Sequence, residues 1–298
     1  MMSTPAWVIV VTVLLAAQVV AAAGAAVTGW IESFDGPREQ YRVLRAGRPL
    51  PVELFMTLRQ DDEIIVQPGG RVKIVLDGGR VVEEISAATT SRVARREREI
   101  PSVLGNVLDW AAQWFTRWHD QHIGRVDVYV RGGPIELLMP PSGGGGSVMP
   151  RLVAGARSIF FAWDGGVAPY HVVVEGLDGQ DAKPHVTPAA DQRSAVQLTL
   201  RPGRYVMEVR DARTGRARGR FVVVAGSDVP AMPALPRPAG ESTPMVETLA
   251  AAWLAAQGEG QWVLEAYQRV VPHATRYYPA TLLRDALERG ERPLPMIR

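Results

Sequence analysis

Short β-type runs with polar–apolar alternation, each halted by a glycine, proline or aspartate turn, set the strongest limit on what this chain folds into. Arg71-Val72-Lys73-Ile74-Val75-Leu76 alternates with period two and stops at Asp77-Gly78-Gly79. Successive side chains of a strand point to opposite faces, so this pattern describes a half-buried strand and not a helix. Tyr41–Arg45 ends at Ala46-Gly47-Arg48-Pro49, Glu63–Val66 ends at Gln67-Pro68-Gly69-Gly70, and residues 80–85 follow the Asp-Gly turn. Short β runs joined by such turns predict an antiparallel meander over residues 27–90.

A second series begins near Pro150. Residues 159–163, 170–175, 195–200, 204–209 and 220–224 are apolar-rich runs separated by Asp-Gly and Pro-Gly turns. Strands at such close, regular spacing predict a β-sandwich, with Trp163 in its core and Tyr205 packing inward. Residues 125–130 alternate as well and fall in the same region, 125–226, while residues 140–147 form a glycine-rich flexible insert. This stretch resembles a fibronectin type III or immunoglobulin-like domain over residues 150–226.

Between the two series, residues 91–124 carry a helical signature. Apolar side chains recur at 104, 107, 108, 111, 114, 115 and 118, the period of an amphipathic helix. Trp110, Trp114 and Trp118 lie four apart and stack above one another, with Phe115 beside them. Such a stripe either packs on a neighbouring module or lies at a membrane interface with the nearby arginines toward phosphates. Packing is the favoured reading, because wide apolar stripes normally face a core. His119, Asp120 and His122 at its end read as an exposed helix terminus, since no third ligand of the right kind is nearby.

Residues 227–244 contain five prolines and predict an extended spacer. Helical patterns over 246–257, 261–271 and 279–289 then form a tail, residues 245–298. Trp253, Trp262 and Tyr267 give it the bulk to dock on something. The fold expected is mainly β with a helical C-terminal tail: a β meander, one inserted amphipathic helix, a β-sandwich and a short helical hairpin.

Residues 1–26 address the chain. From Trp7 to Ala26 the sequence is apolar apart from Gln18, and it ends in alanines that suit a signal peptidase. The same run is long enough, at about 20 residues, to span a bilayer if it is kept. The rest is therefore expected outside the cytoplasm, in the periplasm, either free or anchored to the inner membrane by residues 7–26. With 33 basic and 31 acidic residues the net charge is only +2, which gives no reason to expect nucleic acid. Cysteine is absent, which removes disulfides, thiolate metal sites and a lipidated cysteine anchor.

The first series also resembles the FecR domain, a periplasmic module of envelope signal transducers. The residues that carry the likeness are Gly29-Trp30-Ile31, Val43 to Gly47, Leu58, Asp62-Glu63-Ile64 and Val72 to Gly78. Asp61 stands where the family pattern has a glycine. The resemblance implies an interaction module and supplies no catalytic set.

No Gly-x-Ser-x-Gly and no His-Glu-x-x-His occurs, and the five histidines are scattered. The expectation is a bacterial envelope protein that binds or scaffolds, with no enzyme activity, no catalytic residues, no cofactor and no metal. Its partner would be another envelope protein or a wall polymer, and it would touch membrane only through an uncleaved N-terminal segment. Trp110, Trp114, Phe115, Trp118, Trp253, Trp262 and Tyr267 form the candidate interaction surface. The rival is a carbohydrate- or peptidoglycan-directed protein that uses the sandwich as a sugar platform, for which exposed aromatics on one sandwich face would be the sign.

Overall fold

The computed structural model describes residues 26–86, 89–93, 100–122, 133–140, 148–177, 185–232 and 244–296. The apolar run at 7–26 lies almost wholly outside them. So do the strand expected at 125–130, residues 141–147 of the glycine-rich insert and residues 233–243 of the proline spacer. None of the described helices is long and apolar enough to cross a membrane.

Among the described residues the first module holds eight strands: β1 (Val27–Phe34), β2 (Tyr41–Arg45), β3 (Arg48–Pro51), β4 (Thr57–Arg59), β5 (Glu63–Val66), β6 (Arg71–Leu76), β7 (Val81–Ser86) and β8 (Thr89–Arg92). They form two four-stranded sheets, ordered β4-β1-β6-β7 and β3-β2-β5-β8. Here the structure corrects the meander. β1 inserts between β4 and β6, and β2 sits between β3 and β5, so the chain crosses between sheets. The crossing depends on β1, whose Gly29 lies so close to β6 that a Cβ there would stand 2.2 Å from the carbonyl oxygen of Val75. Only a residue without a side chain fits. The β2–β3 turn places Ala46 and Gly47 at φ of 49° and 75°, the left-handed pair that closes a two-residue hairpin. The module runs past residue 90: Val93 exchanges backbone hydrogen bonds with Asp61 and Asp62, and the Ile100 N–H donates to Val27 at 2.8 Å.

Helix α1 spans Ser102–His122. Its seven apolar positions from Leu104 to Trp118 are all buried. The side facing the first module is pinned by three contacts. The Leu54 N–H donates to Thr116 Oγ1 at 3.0 Å, Thr57 Oγ1 lies 3.3 Å from an Asp109 carboxylate oxygen, and Phe55 meets Phe115 edge-on at 5.1 Å.

The second module is a sandwich with eight strands among the described residues: β9 (Glu136–Met139), β10 (Arg151–Val153), β11 (Gly155–Asp164), β12 (Tyr170–Gly176), β13 (His185–Ala189), β14 (Arg193–Leu200), β15 (Gly203–Arg210) and β16 (Arg216–Val224). One sheet is β14-β11-β9 and the other β10-β16-β15-β12-β13. Among the described strands only β10, parallel to β16, departs from antiparallel pairing. Trp163 is buried and meets Tyr170 edge-on at 5.3 Å, while Tyr205 stacks on Phe221. The Tyr205 hydroxyl donates to the Arg201 carbonyl at 3.1 Å and accepts the Arg201 N–H at 3.2 Å. It thereby ties the β14–β15 corner to the core, as tyrosines do at this place in immunoglobulin-like sandwiches. The sandwich starts at β9 and not at Pro150. Leu137 and Met139 of β9 are buried, and β9 completes the edge of β11.

The tail folds into α2 (Pro244–Ala255), α3 (Val263–Val270) and α4 (Tyr278–Glu288). α3 lies against β10 and β11, and α4 lies against α1. The tail therefore touches both the sandwich and the central helix.

Candidate functional site: the interior junctions

The seven rings proposed as an interaction surface do not form an exposed one, and this is a correction. Phe115, Trp118, Trp262 and Tyr267 are at most 2 % exposed, Trp114 and Trp253 stay below 10 %, and Trp110 is half-buried. Their apolar area is covered by this chain's own elements. Trp114 stacks edge-on with Phe115 at 4.8 Å and tilts against Trp118 at 5.8 Å, and Arg289, just past α4, lies 6.0 Å over the Trp118 ring. Arg151 of β10 lies 5.6 Å over Trp262. The rings join the modules to one another.

His119 is also corrected. It is 1 % exposed and not at a free helix end. Its Nε2 lies 3.1 Å from the carbonyl oxygen of Gly36, in the β1–β2 connection, and its Nδ1 lies 2.7 Å from the Tyr278 hydroxyl of α4. A carbonyl only accepts, so Nε2 carries the proton and Nδ1 accepts from tyrosine. Phe34 packs edge-on against the ring at 4.4 Å. Burial lowers the pKa of His119 and the charge of Arg38 adds to this, against the Gly36 hydrogen bond, Asp120 and Glu39. The Tyr278 hydroxyl is pushed up to about 12 by burial and by Asp285 and Asp35. One histidine thus pins first module, helix and tail together.

At the sandwich junction, buried carboxylates do the same work. Glu265 of α3 accepts the Val153 N–H at 3.1 Å and meets Arg157 at 3.1 Å and Arg269 at 3.0 Å. Glu288 of α4 pairs with Arg193 of β14 at 2.5 Å and accepts the Tyr267 hydroxyl at 2.8 Å. Burial, helped by the Glu288 charge, drives the Tyr267 pKa well above the usual phenol range. Both of these acids pair with arginine and are directed at a neighbouring element, an arrangement that orients modules. Among the described residues no group of three or more histidines and acids could hold a metal ion.

One open cavity borders the helix. It measures about 630 Å³ and is lined by Asn106, Trp110, Gln113 and Arg117 of α1 and by Leu294, Pro295 and Met296. The Trp110 indole N–H donates to the Leu294 carbonyl at 3.0 Å across it.

Sequence reasoning found the aromatic rings but missed His119, Glu265 and Gln268 as junction residues. Glu265 and Gln268 lie three apart on one helix face, which is a weak sign of a shared polar seam. Their partners on the sandwich are more than a hundred residues away in the chain.

No family model matches the chain, and no curated protein does. Among solved structures, it is similar to CopC from Methylosinus trichosporium OB3b, with 18% identity over 27% of this chain and 87% of that one and a TM-score of 0.21. A segment of two fibronectin type III domains from chicken tenascin shows 12% identity over 66% and 95% of the two chains, with a TM-score of 0.21. The FN1-FN3 domains of chicken CNTN1 show 9% identity over 68% of each chain, with a TM-score of 0.19.

Proposed function

We propose that the chain is an exported envelope protein that scaffolds or binds, holding two β modules at a fixed mutual angle for a partner in the periplasm. The observation that carries this reading is the use of α1 and the tail as internal cement. Their aromatic rings, His119 and the Glu265 and Glu288 ion pairs are spent on joining modules. A chain that invests its largest side chains there gains rigidity between surfaces and no reaction centre.

The first module is read as FecR-like. What supports this is the role of the residues that carry the likeness. Asp61, at the family's glycine position, has φ of 67°, the conformation glycine adopts most easily. Asp62 is buried and takes two hydrogen bonds from Arg45, at 3.1 and 2.8 Å, and one from the Arg59 N–H at 2.8 Å. These are turn and core roles, as expected of an interaction module.

The sugar-platform rival is less well supported. Phe161, Trp163, Tyr170, Tyr205 and Phe221 are all buried, so they offer no stacking face. Crosslinking in intact envelopes followed by pull-down tests the proposal. A captured protein supports it, and capture of glycan alone overturns it in favour of the rival. Export is tested separately with a reporter active only in the cytoplasm, which should be silent when fused to the C-terminus.

A further inference from the structure

The outer face of the five-stranded sheet is an array of guanidinium groups. Alternation turns Arg204 and Arg210 of β15 and Arg216, Arg218 and Arg220 of β16 to one side, and all five are exposed. Tyr205, Met207, Val209, Phe221 and Val223 point the other way, into the core. The register sets Arg210 directly opposite Arg216, and Arg218 opposite Glu208. Like charges facing each other across a ladder destabilise a sheet unless something anionic lies over them.

Two glutamates of the described strands lie on this face. Glu208 pairs with Arg210 and Arg218 from a buried position, and Glu175 of β12 lies opposite Val206. Among the described residues of these strands, five arginines stand with two glutamates on this side. Arg216 and Arg220 have no acidic partner among the described residues. The same side also exposes two large apolar residues. Val186 of β13, opposite Val173, is 54 % exposed, and Leu177, which continues β12 beside Arg204, is 48 % exposed.

The array extends in two dimensions, with about 7 Å between alternate residues along a strand and about 5 Å across the ladder. Among the described residues of these strands no Phe, Tyr or Trp turns to this side, and its exposed ring is the His171 imidazole opposite Arg210, so it lacks the run of stacking platforms by which proteins hold single-stranded nucleic acid. Guanidinium forks match phosphate oxygens two at a time. Arginines beside exposed aliphatic side chains are the composition of a surface that rests on a bilayer.

We propose that this arginine face docks on the phosphate headgroups of an anionic phospholipid bilayer, with Leu177 and Val186 entering the headgroup boundary. The inference rests on the reading of the chain as an envelope protein. Location in the cell and binding of lipid are measured separately, so either can fail alone.

The absence of cysteine allows a direct test in the full chain. A single cysteine in place of Val186, and separately in place of exposed Gln197 on the opposite sheet, carries an environment-sensitive fluorophore. The label at 186 is expected to shift blue with vesicles of phosphatidylcholine containing about one-third phosphatidylglycerol, and not with phosphatidylcholine alone. The label at 197 is expected to stay unchanged. About 0.5 M salt should abolish the shift. Arg216→Glu with Arg220→Glu should weaken partitioning at least about tenfold at an unaltered unfolding midpoint. Arg216→Gln with Arg220→Gln serves if charge reversal disturbs folding, with a smaller loss expected. Equal shifts at both labels, a shift on neutral vesicles, or full binding by the folded variants would overturn the proposal. Binding to soluble polyphosphate in preference to vesicles would overturn it too, in favour of a soluble polyanion.

Discussion

Gln268 takes the place of a missing strand beside Phe160. Its Oε1 accepts the Phe160 N–H at 2.6 Å and its Nε2 donates to the Phe160 carbonyl at 2.9 Å. β11 pairs with β14 over residues 155–162, but β9 covers its other edge only over residues 162–164. The remaining edge would present open backbone groups, and α3 closes it with one side-chain amide. The helical tail is therefore part of the sandwich's hydrogen-bond balance.

Gln268→Leu keeps the approximate volume and removes both bonds. Two lost hydrogen bonds and a stranded backbone pair predict a loss of about 2–4 kcal/mol, read from urea unfolding. A loss below about 0.5 kcal/mol would show that water replaces the amide and that the tail does not cap the edge.

The repeated strands, the amphipathic helix and the three tail helices were legible because period and turn chemistry are local. What was not legible was non-local. β13 contains Pro188, which argues against a central strand, and β13 is indeed the edge of its sheet. β9 and β10 are short and flank a glycine-rich stretch, so neither shows a period. The insertion of β1 between β4 and β6 depends on contacts about forty-five residues apart. The rings of α1 and the tail read correctly as apolar bulk. That they cover one another depends on packing between segments no window of sequence contains.

His119 should make stability depend on pH in a defined direction. The unfolded imidazole titrates near 6.5, at about its ordinary value. In the folded chain the pKa is lower, chiefly because of burial. As pH falls through about 6.5, the unfolded chain takes up a proton that the folded chain refuses. Stability is therefore full above about pH 7 and declines on acidification until the folded pKa is reached. Urea unfolding between about pH 7.5 and 5.5 should show this decline in the native chain and a shallower one in His119→Asn. Parallel slopes would mean another group is responsible.

Asp61 and Asp62 should respond in opposite ways. Asp61 sits at φ 67°, so Asp61→Gly should be neutral or slightly stabilising, and Asp61→Val should cost about 1–2 kcal/mol. Asp62→Ala leaves Arg45 and the Arg59 N–H without their acceptor and should cost about 3–5 kcal/mol. Thermal unfolding of the three variants separates the two roles. Equal losses at Asp61→Gly and Asp62→Ala would contradict the backbone argument.

Trp163 and Met139 test where the sandwich begins. Trp163 is 1 % exposed in β11, and Met139 of β9 is fully buried, paired with Ala162 in the neighbouring strand. Removing either side chain leaves a cavity that the two sheets cannot collapse to fill. Trp163→Ala should cost about 3–5 kcal/mol and Met139→Ala about 2–5 kcal/mol. The second value decides the boundary, because Met139 lies before the glycine-rich stretch and would be irrelevant to a sandwich starting at Pro150. A chain cut at Pro150 would also lack Leu137 and expose the edge of β11 at Ala162 and Trp163. It should therefore unfold at lower urea than one that begins at residue 133 and keeps the same C-terminus. Equal midpoints, together with a loss below about 1 kcal/mol for Met139→Ala, would show that β9 rests on the sandwich without supporting it.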